Sequence, residues 1–354
     1  MSDSGASAHS PSAPFAITVL PSGRTFSSDA GETLLSAGIR QGVGLPYGCK
    51  DGACGSCKCR LLSGSVHHGN YQSKALSDDE RAAGMVLTCS VHALSDLTLE
   101  SRQVSELGAA PVKKMPVRVR SLNRVRPDVM LLQLQLPAND NFSYRAGQYV
   151  DFLLQGGVRR SYSMASAPVA GAAMELHIRH MPGGKFTDHV FGALKEKDIL
   201  RIEGPFGSFF LREDSEQPLI LLASGTGLAP VKALIEQLVH SGSTRRAYLY
   251  WGGRRPADLY LDAWAADMAR QHAWLHYIPV VSDALDADAW QGRTGLVHRA
   301  VLQDHADLSQ FQVYACGAPV MVDAARADFA AQAGLPEDAF FADAFTSEAD
   351  KVAA

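Results

Sequence analysis

"YGCKDGACGSCKCRLLSG", residues 47–64, places Cys49, Cys54, Cys57 and Cys59 in one glycine-broken loop of a chain with six cysteines. Cys49, Cys54 and Cys57 are spaced C-x4-C-x2-C, and "LTCS" supplies Cys89 as a distant further thiol. This is a ligand spacing of 2Fe-2S clusters. Four thiolates hold two irons, two to each, and the short spacings let one loop wrap three corners. Gly48, Gly52 and Gly55 suit a backbone that bends tightly and turns its amides toward sulfur. Zinc is the rival metal, but zinc ribbons usually pair two short C-x2-C units. Cys59 reads as a small buried hydrophobe after the loop rather than a ligand, since Cys89 completes the set.

The surroundings agree with a small cluster-binding domain. "FAITVL" and "RTFSS" read as a hairpin around "PSG". In "ETLLSAGIRQG", Leu35 and Ile39 share a helical face and Gly42 follows the end, while "DLTLE" at 96–100 alternates like a closing strand. Lys50, Lys58 and Arg60 flank the loop against Asp51 alone. A length of 354 residues allows two or three domains, and a net charge of -4 gives no general attraction to nucleic acid. Residues 1–14 are small, polar and proline-bearing, read as a disordered tail without the basic start and apolar run of a secretory signal. No apolar run approaches the ~20 residues of a membrane span. The expected location is therefore cytoplasmic, where clustered thiols serve metals or catalysis more often than disulfides.

After "SELGAAPVKKMP", read as a linker over 105–116, the texture changes. "DVMLLQLQLP" and "MELHIRHM" alternate apolar and polar residues, which predicts half-buried strands of a small antiparallel barrel. His177 and His180 read as strand or packing residues. From about residue 214, "PLILLASGTGLAPVKALIEQLV" gives an apolar strand, the Gly225-Thr226-Gly227 loop, and a helix opened by Pro230. In that helix Val231, Leu234, Ile235 and Leu238 share a face. "AYLYWGG", "HYIPVVSD" and "FQVYACGAP" follow as strands separated by helical stretches, the pattern of a parallel sheet. A glycine loop at a strand's carboxyl end and before a helix is a nucleotide-binding context, though G-T-G is not a full dinucleotide fingerprint.

Residues 15–104 resemble a plant-type ferredoxin of the β-grasp fold. "RRSYSMAS" resembles the R-x-Y-S signature of the ferredoxin-reductase flavin domain. That likeness implies Arg160 on the FAD pyrophosphate, Tyr162 against the isoalloxazine and Ser163 near the reactive flavin nitrogen. "MPGGKFTDHVFGAL" is similar to the family's glycine-rich diphosphate element, implying Gly183, Gly184 and Thr187 there. "YACGAPVMV" and "FFADAF" resemble its nicotinamide site, implying that Cys316, Gly317, Asp343 and Phe345 shape hydride transfer. Plain packing is the alternative for Cys316 and Phe345.

In module order the chain resembles the NAD(P)H-dependent iron-sulfur flavoprotein reductases, within them the CDP-6-deoxy-Δ3,4-glucoseen reductases and, almost as closely, reductase components of aromatic-ring oxygenases. The expected fold is multidomain α+β and α/β. A β-grasp 2Fe-2S ferredoxin (15–104) and a linker (105–116) precede an antiparallel β-barrel FAD domain (117–213) and a Rossmann-like parallel-sheet NAD(P) domain (214–354). The implied reaction takes hydride from NAD(P)H to FAD and passes single electrons through the cluster to a partner protein, a dehydratase or an oxygenase component, with no nucleic acid or membrane involved. A self-contained small-molecule reductase and a redox sensor are the readings from other classes. Arg254 and Arg255 after "AYLYWGG" suit a 2'-phosphate, yet "GGRRPADLYL" resembles a run common in NADH-using members, so NADH is expected and NADPH is possible.

Overall fold

A computed structural model describes residues 14–106, 111–138 and 142–346. Apart from Pro14, the expected tail lies outside the described residues. The chain forms two compact units that divide close to residue 110.

In the first unit the strand Phe15–Leu20 alternates so that Ile17 and Val19 are fully buried, each worth about 1.5–3 kcal/mol on burial. It pairs antiparallel with Arg24–Ser28, as the hairpin reading expects, and parallel with Leu97–Glu100. The latter strand, expected to close the domain, lies at the centre of a five-stranded sheet, with Lys58–Ser63 and then Met85–Leu87 on its other side. The helix Leu34–Arg40 begins where the Thr33 hydroxyl accepts the Ser36 amide, and it buries Leu34, Leu35 and Ala37. This mixed sheet with its helix is a β-grasp. Ser105–Glu106 pairs with Val43–Gly44, so the first two residues of the stretch read as a linker are a strand of this unit.

The second unit holds two sheets. Six antiparallel strands run in the order Arg159–Ser163, Tyr149–Leu153, Ile199–Phe206, Lys113–Arg126, Val129–Gln135, Met174–Arg179. A bridge between Met164 and Leu176 brings the two outer strands together, closing a barrel. Its first long strand takes up Lys113–Pro116, the end of the stretch read as a linker.

The other sheet is wholly parallel, in the order Arg293–Thr294, Leu275–Val281, Ala247–Gly253, Leu219–Ser224, Gln312–Gly317, Phe340–Ala344. The helix Leu228–His240 begins two residues before Pro230, which therefore sits in the first turn, where a missing N–H costs nothing. Chain order reverses between Leu219–Ser224 and Gln312–Gly317. In open parallel sheets the crevice beyond the carboxyl ends at such a point is where ligands bind. Among the described residues no helix is long and apolar enough to cross a membrane.

Candidate functional site

In the first unit the cysteine loop arranges its thiols as two pairs. The Cys54 amide donates to Cys49 Sγ and the Cys49 amide to Cys54 Sγ, each at 3.3 Å, and Cys57 Sγ stands 3.3 Å from Cys89 Sγ. No group of three or more His, Cys, Asp or Glu among the described residues is arranged to hold a single metal ion. Two thiol pairs are instead the donor set of a two-iron cluster. The bond from Cys54 lowers the Cys49 thiol, but a bond to Cys89 and burial outweigh it and push it up to about 11. Four such thiolates coexist only if cationic iron offsets their charge. Gly52, at φ +74°, lets the loop press so close to the Asn70–Tyr71 backbone that a Cβ there would stand 2.8 Å from Tyr71 Cβ. Cys59 points elsewhere, buried on the strand Lys58–Ser63, its thiol pushed up to about 12 by burial. The basic residues beside the loop have carboxylate partners distant in sequence: Lys58 pairs with Glu80, and Arg60 lies 3.9 Å from Glu100. Counting neighbours in sequence left these partners out.

On the barrel, Arg159–Ser163 has a strand ladder on one side only. With Met174–Arg179 it is one of the two outer strands of the sheet, joined at the Met164–Leu176 bridge. Tyr162, half-buried there, packs edge-on against Phe152 and beside Phe186, with ring centroids 5.8 and 5.2 Å away. Arg160 is half-buried on the same strand, one guanidinium nitrogen donating to the Arg159 carbonyl at 2.8 Å. The strand opposite leads into Gly183 and Gly184 and the helix Lys185–Gly192. The Thr187 hydroxyl donates to the Met181 carbonyl at 2.8 Å, and the Gly183 amide donates to Asp188 at 3.1 Å. These groups thus shape the turn into the helix, whose first residue follows Gly184 without a side-chain cap.

At the reversal point of the parallel sheet two loops meet at backbone distance. A Cβ on Gly227 would lie 2.2 Å from the Cys316 carbonyl, and one on Gly317, at φ +134°, 2.2 Å from Ser224 Oγ. Ser224 Oγ also accepts the Ala318 amide at 3.0 Å, a role no sequence pattern announced. Gly225 and Thr226 complete the turn into the helix, with the Gly225 carbonyl accepting from Trp251 Nε1 at 3.0 Å. Cys316 is fully buried and pairs in register with Asp343. Burial first, then the neighbouring Asp343, pushes its thiol well above the ordinary range. Ser163, arriving from the barrel, donates its hydroxyl to Asp343 Oδ2 at 3.1 Å. Burial raises the Asp343 carboxyl to about 6 in spite of that bond. Phe345 is anchored by its amide to the Gly317 carbonyl at 2.8 Å and packs on the core. The fold therefore unites Ser163, Cys316 and Asp343, residues far apart in sequence, beside a glycine loop.

Beyond the strand Ala247–Gly253, Arg254 and Arg255 do not stand alone. Asp283 lies 3.7 Å from Arg254 and 3.8 Å from Arg255, and Asp288 3.5 Å from Arg255.

Three family models match in series: a 2Fe-2S iron-sulfur cluster binding domain over residues 17–94, an oxidoreductase FAD-binding domain over 116–211 and an oxidoreductase NAD-binding domain over 221–327. The chain is 43% identical over 325 residues, 92% of its length and 96% of the relative's, to the CDP-6-deoxy-L-threo-D-glycero-4-hexulose-3-dehydrase reductase of Yersinia pseudotuberculosis. It is 36% identical to reductase component 2 of the terephthalate 1,2-dioxygenase of a Comamonas species, covering 90% of this chain and 93% of that one. Among solved structures it resembles the Amycolatopsis cytochrome P450 reductase GcoB, with TM-score 0.76, 33% identity and 94% and 99% of the two chains covered. A thiol-paired loop, an antiparallel barrel and a glycine loop at the reversal of a parallel sheet thus occur in one chain in the order of the three family models, and the chain belongs to the iron-sulfur flavoprotein reductases, which carry electrons from NAD(P)H through FAD and a 2Fe-2S cluster.

Proposed function

We propose that the corner formed by Ser163, Asp343 and Cys316 is the hydride-transfer site, and that electrons leave the chain singly for a dehydratase acting on a CDP-linked deoxysugar. The observation that carries the site is the meeting of the flavin strand's Ser163 with Asp343 at 3.1 Å, beside the glycine crevice. FAD, when bound, accepts a hydride and gives its electrons up one at a time. Arg160 is suited to the FAD diphosphate as a charged fork, and Tyr162 offers a flat face to the flavin. Gly183, Gly184 and Thr187 build the turn at the start of the helix Lys185–Gly192, and a helix start of this kind suits the same diphosphate. Gly225, Thr226 and Gly227 keep the crevice open to the coenzyme backbone, while Cys316, Gly317 and Phe345 wall the nicotinamide. Cys49, Cys54, Cys57 and Cys89 hold the iron. Thiols kept reduced for iron favour a cytoplasmic setting.

The choice of dehydratase is supported by the 43% identity to the Yersinia reductase. The second reading, an oxygenase partner, draws on the 36% identity to the terephthalate dioxygenase component. A self-contained reductase has no use for the thiol loop, and a sensor has none for a hydride corner. The test is NADH-driven turnover of the purified holoprotein with a CDP-sugar dehydratase and, separately, with a dioxygenase terminal component. Faster reduction of the dioxygenase would overturn the first reading in favour of the second.

We also propose NADH as the coenzyme. Asp283 and Asp288 place negative charge against Arg254 and Arg255, where a 2'-phosphate would need both guanidinium groups. The double variant Asp283→Asn, Asp288→Asn is expected to raise kcat/KM for NADPH by about tenfold, the scale of one lost charged repulsion, and to leave NADH nearly unchanged. Wild-type kcat/KM for NADPH equal to that for NADH would sink this proposal.

A further inference from the structure

The barrel strand Met174–Arg179 turns Met174, Leu176 and Ile178 into the barrel core and so directs Glu175, His177 and Arg179 outward. Outward polar residues of such a strand ordinarily meet water. Yet His177 is only 4% exposed. The covering groups come from the nucleotide-binding half of the same unit. Tyr260 brings its hydroxyl to 2.8 Å from His177 Nδ1, and His177 Nε2 lies 3.1 Å from Glu175 Oε1. A neutral imidazole satisfies both contacts, accepting from Tyr260 and donating to Glu175.

Behind this pair, Lys232, itself buried on the helix that follows the glycine loop, reaches three oxygens. These are Glu236 Oε1 at 2.5 Å, the Ala165 carbonyl at 3.1 Å and Glu175 Oε1 at 3.2 Å. Glu236 in turn accepts the Ala167 amide at 3.0 Å. Ala165 and Ala167 directly follow the strand that carries Tyr162 and Ser163. A second route runs through Tyr260, which packs edge-on against Trp251 at 5.2 Å, and Trp251 holds the Gly225 carbonyl. Arg179 borders Gly225 as well: a Cβ there would stand 3.2 Å from its guanidinium. His177, Tyr260, Glu175, Lys232 and Glu236 each have a polar partner within this seam, which favours one arrangement over a sliding one.

We propose that His177 and Tyr260, backed by Glu175 and Lys232, are positioning residues for hydride transfer, fixing where the glycine loop and Cys316 stand relative to Ser163. The inference rests on the hydride-site reading given above. None of the four needs to touch the reacting atoms. Their effect is on distance and angle, to which hydride transfer is steeply sensitive.

The experiment is anaerobic single-turnover reduction of the holoprotein by NADH, following flavin bleaching and the long-wavelength charge-transfer absorbance of stacked nicotinamide and flavin. His177→Leu is expected to slow flavin reduction by about tenfold or more and to weaken that absorbance, with FAD and iron content unchanged. His177→Gln, which keeps one donor and one acceptor, should restore most of both. Tyr260→Phe, a change of one hydroxyl, serves if His177→Leu does not fold, and should slow the step in the same direction. Wild-type rate and absorbance in Tyr260→Phe, or in a folded His177→Leu, would overturn the inference. Asp343→Asn separates the two levels: if it too leaves flavin reduction unchanged, the hydride-site reading itself fails.

Discussion

Asp343 is a carboxyl group kept from water and given a single hydroxyl for company. Burial raises it to about 6, and the bond from Ser163 offsets only part of that. The sign follows directly. A carboxyl whose folded value lies above its ordinary one favours the neutral form, so its contribution to stability is lost as pH rises from about 4 through 6. In the proposed hydride site, a protonated Asp343 would donate to Ser163 and leave the serine hydroxyl able to donate to the flavin. Flavin reduction by NADH is therefore expected to quicken as pH falls through about 6, and that titration should vanish in Asp343→Asn. Stopped-flow rates between pH 5.5 and 7.5 check it; an unchanged pH profile in the variant would remove Asp343 from the proton chemistry. At this scale the thiol loop is the most legible feature, since three of the four proposed ligands lie within nine residues, Cys49 to Cys57, and their spacing is itself the signal. The meeting of Ser163 with Asp343, 180 residues away, leaves no local pattern; family resemblance implied a role for each residue but not their contact.

The strand Met174–Arg179 is a strand as its alternation expects, and His177 on it packs as read, but the sequence does not say against what. Alternation correctly gives its strand character and its inward face, because the period of two is a property of the backbone. It cannot say what covers the other face. Here that face meets a second domain of the same unit, which buries His177. The consequence is measurable. Burial is the main cause lowering the His177 value, so the folded protein favours neutral imidazole. Stability is then whole above the ordinary histidine range and is lost as pH falls through the folded value. His177→Gln should flatten the fall of melting temperature between pH 7 and pH 5, each pK unit of depression being worth about 1.4 kcal/mol. His68, His298 and His305 are lowered in the same direction and remain in the variant, so flattening rather than abolition is the expected result. An identical slope in wild type and variant would mean that His177 titrates alike in the folded and unfolded chain.

At the scale of the molecule, the reversal of strand order explains why the crevice lies where it does. Neighbouring parallel strands lead their loops to opposite faces at that one place, and there Gly227 and Gly317 let the loops approach to backbone contact. The sequence offered the strands and the glycines but not their order in space, which depends on pairings between segments up to about a hundred residues apart, as between Leu219 and Gln312. The two compact units each have their own sheets and core, and the chain between Glu106 and Lys113 links them. Expressed separately, residues 111–354 should retain FAD and reduce ferricyanide with NADH at a rate within about twofold of the whole chain, because every group of the proposed hydride site lies in that part. Residues 1–106, reconstituted with iron and sulfide, should show iron-sulfur absorption without flavin. Reduction of a one-electron protein acceptor should need both parts in one chain, since linkage sets their effective concentration. A flavin-free or inactive 111–354 piece would mean that the flavin unit depends on the iron-sulfur unit for its own folding, against the independence that separate cores imply.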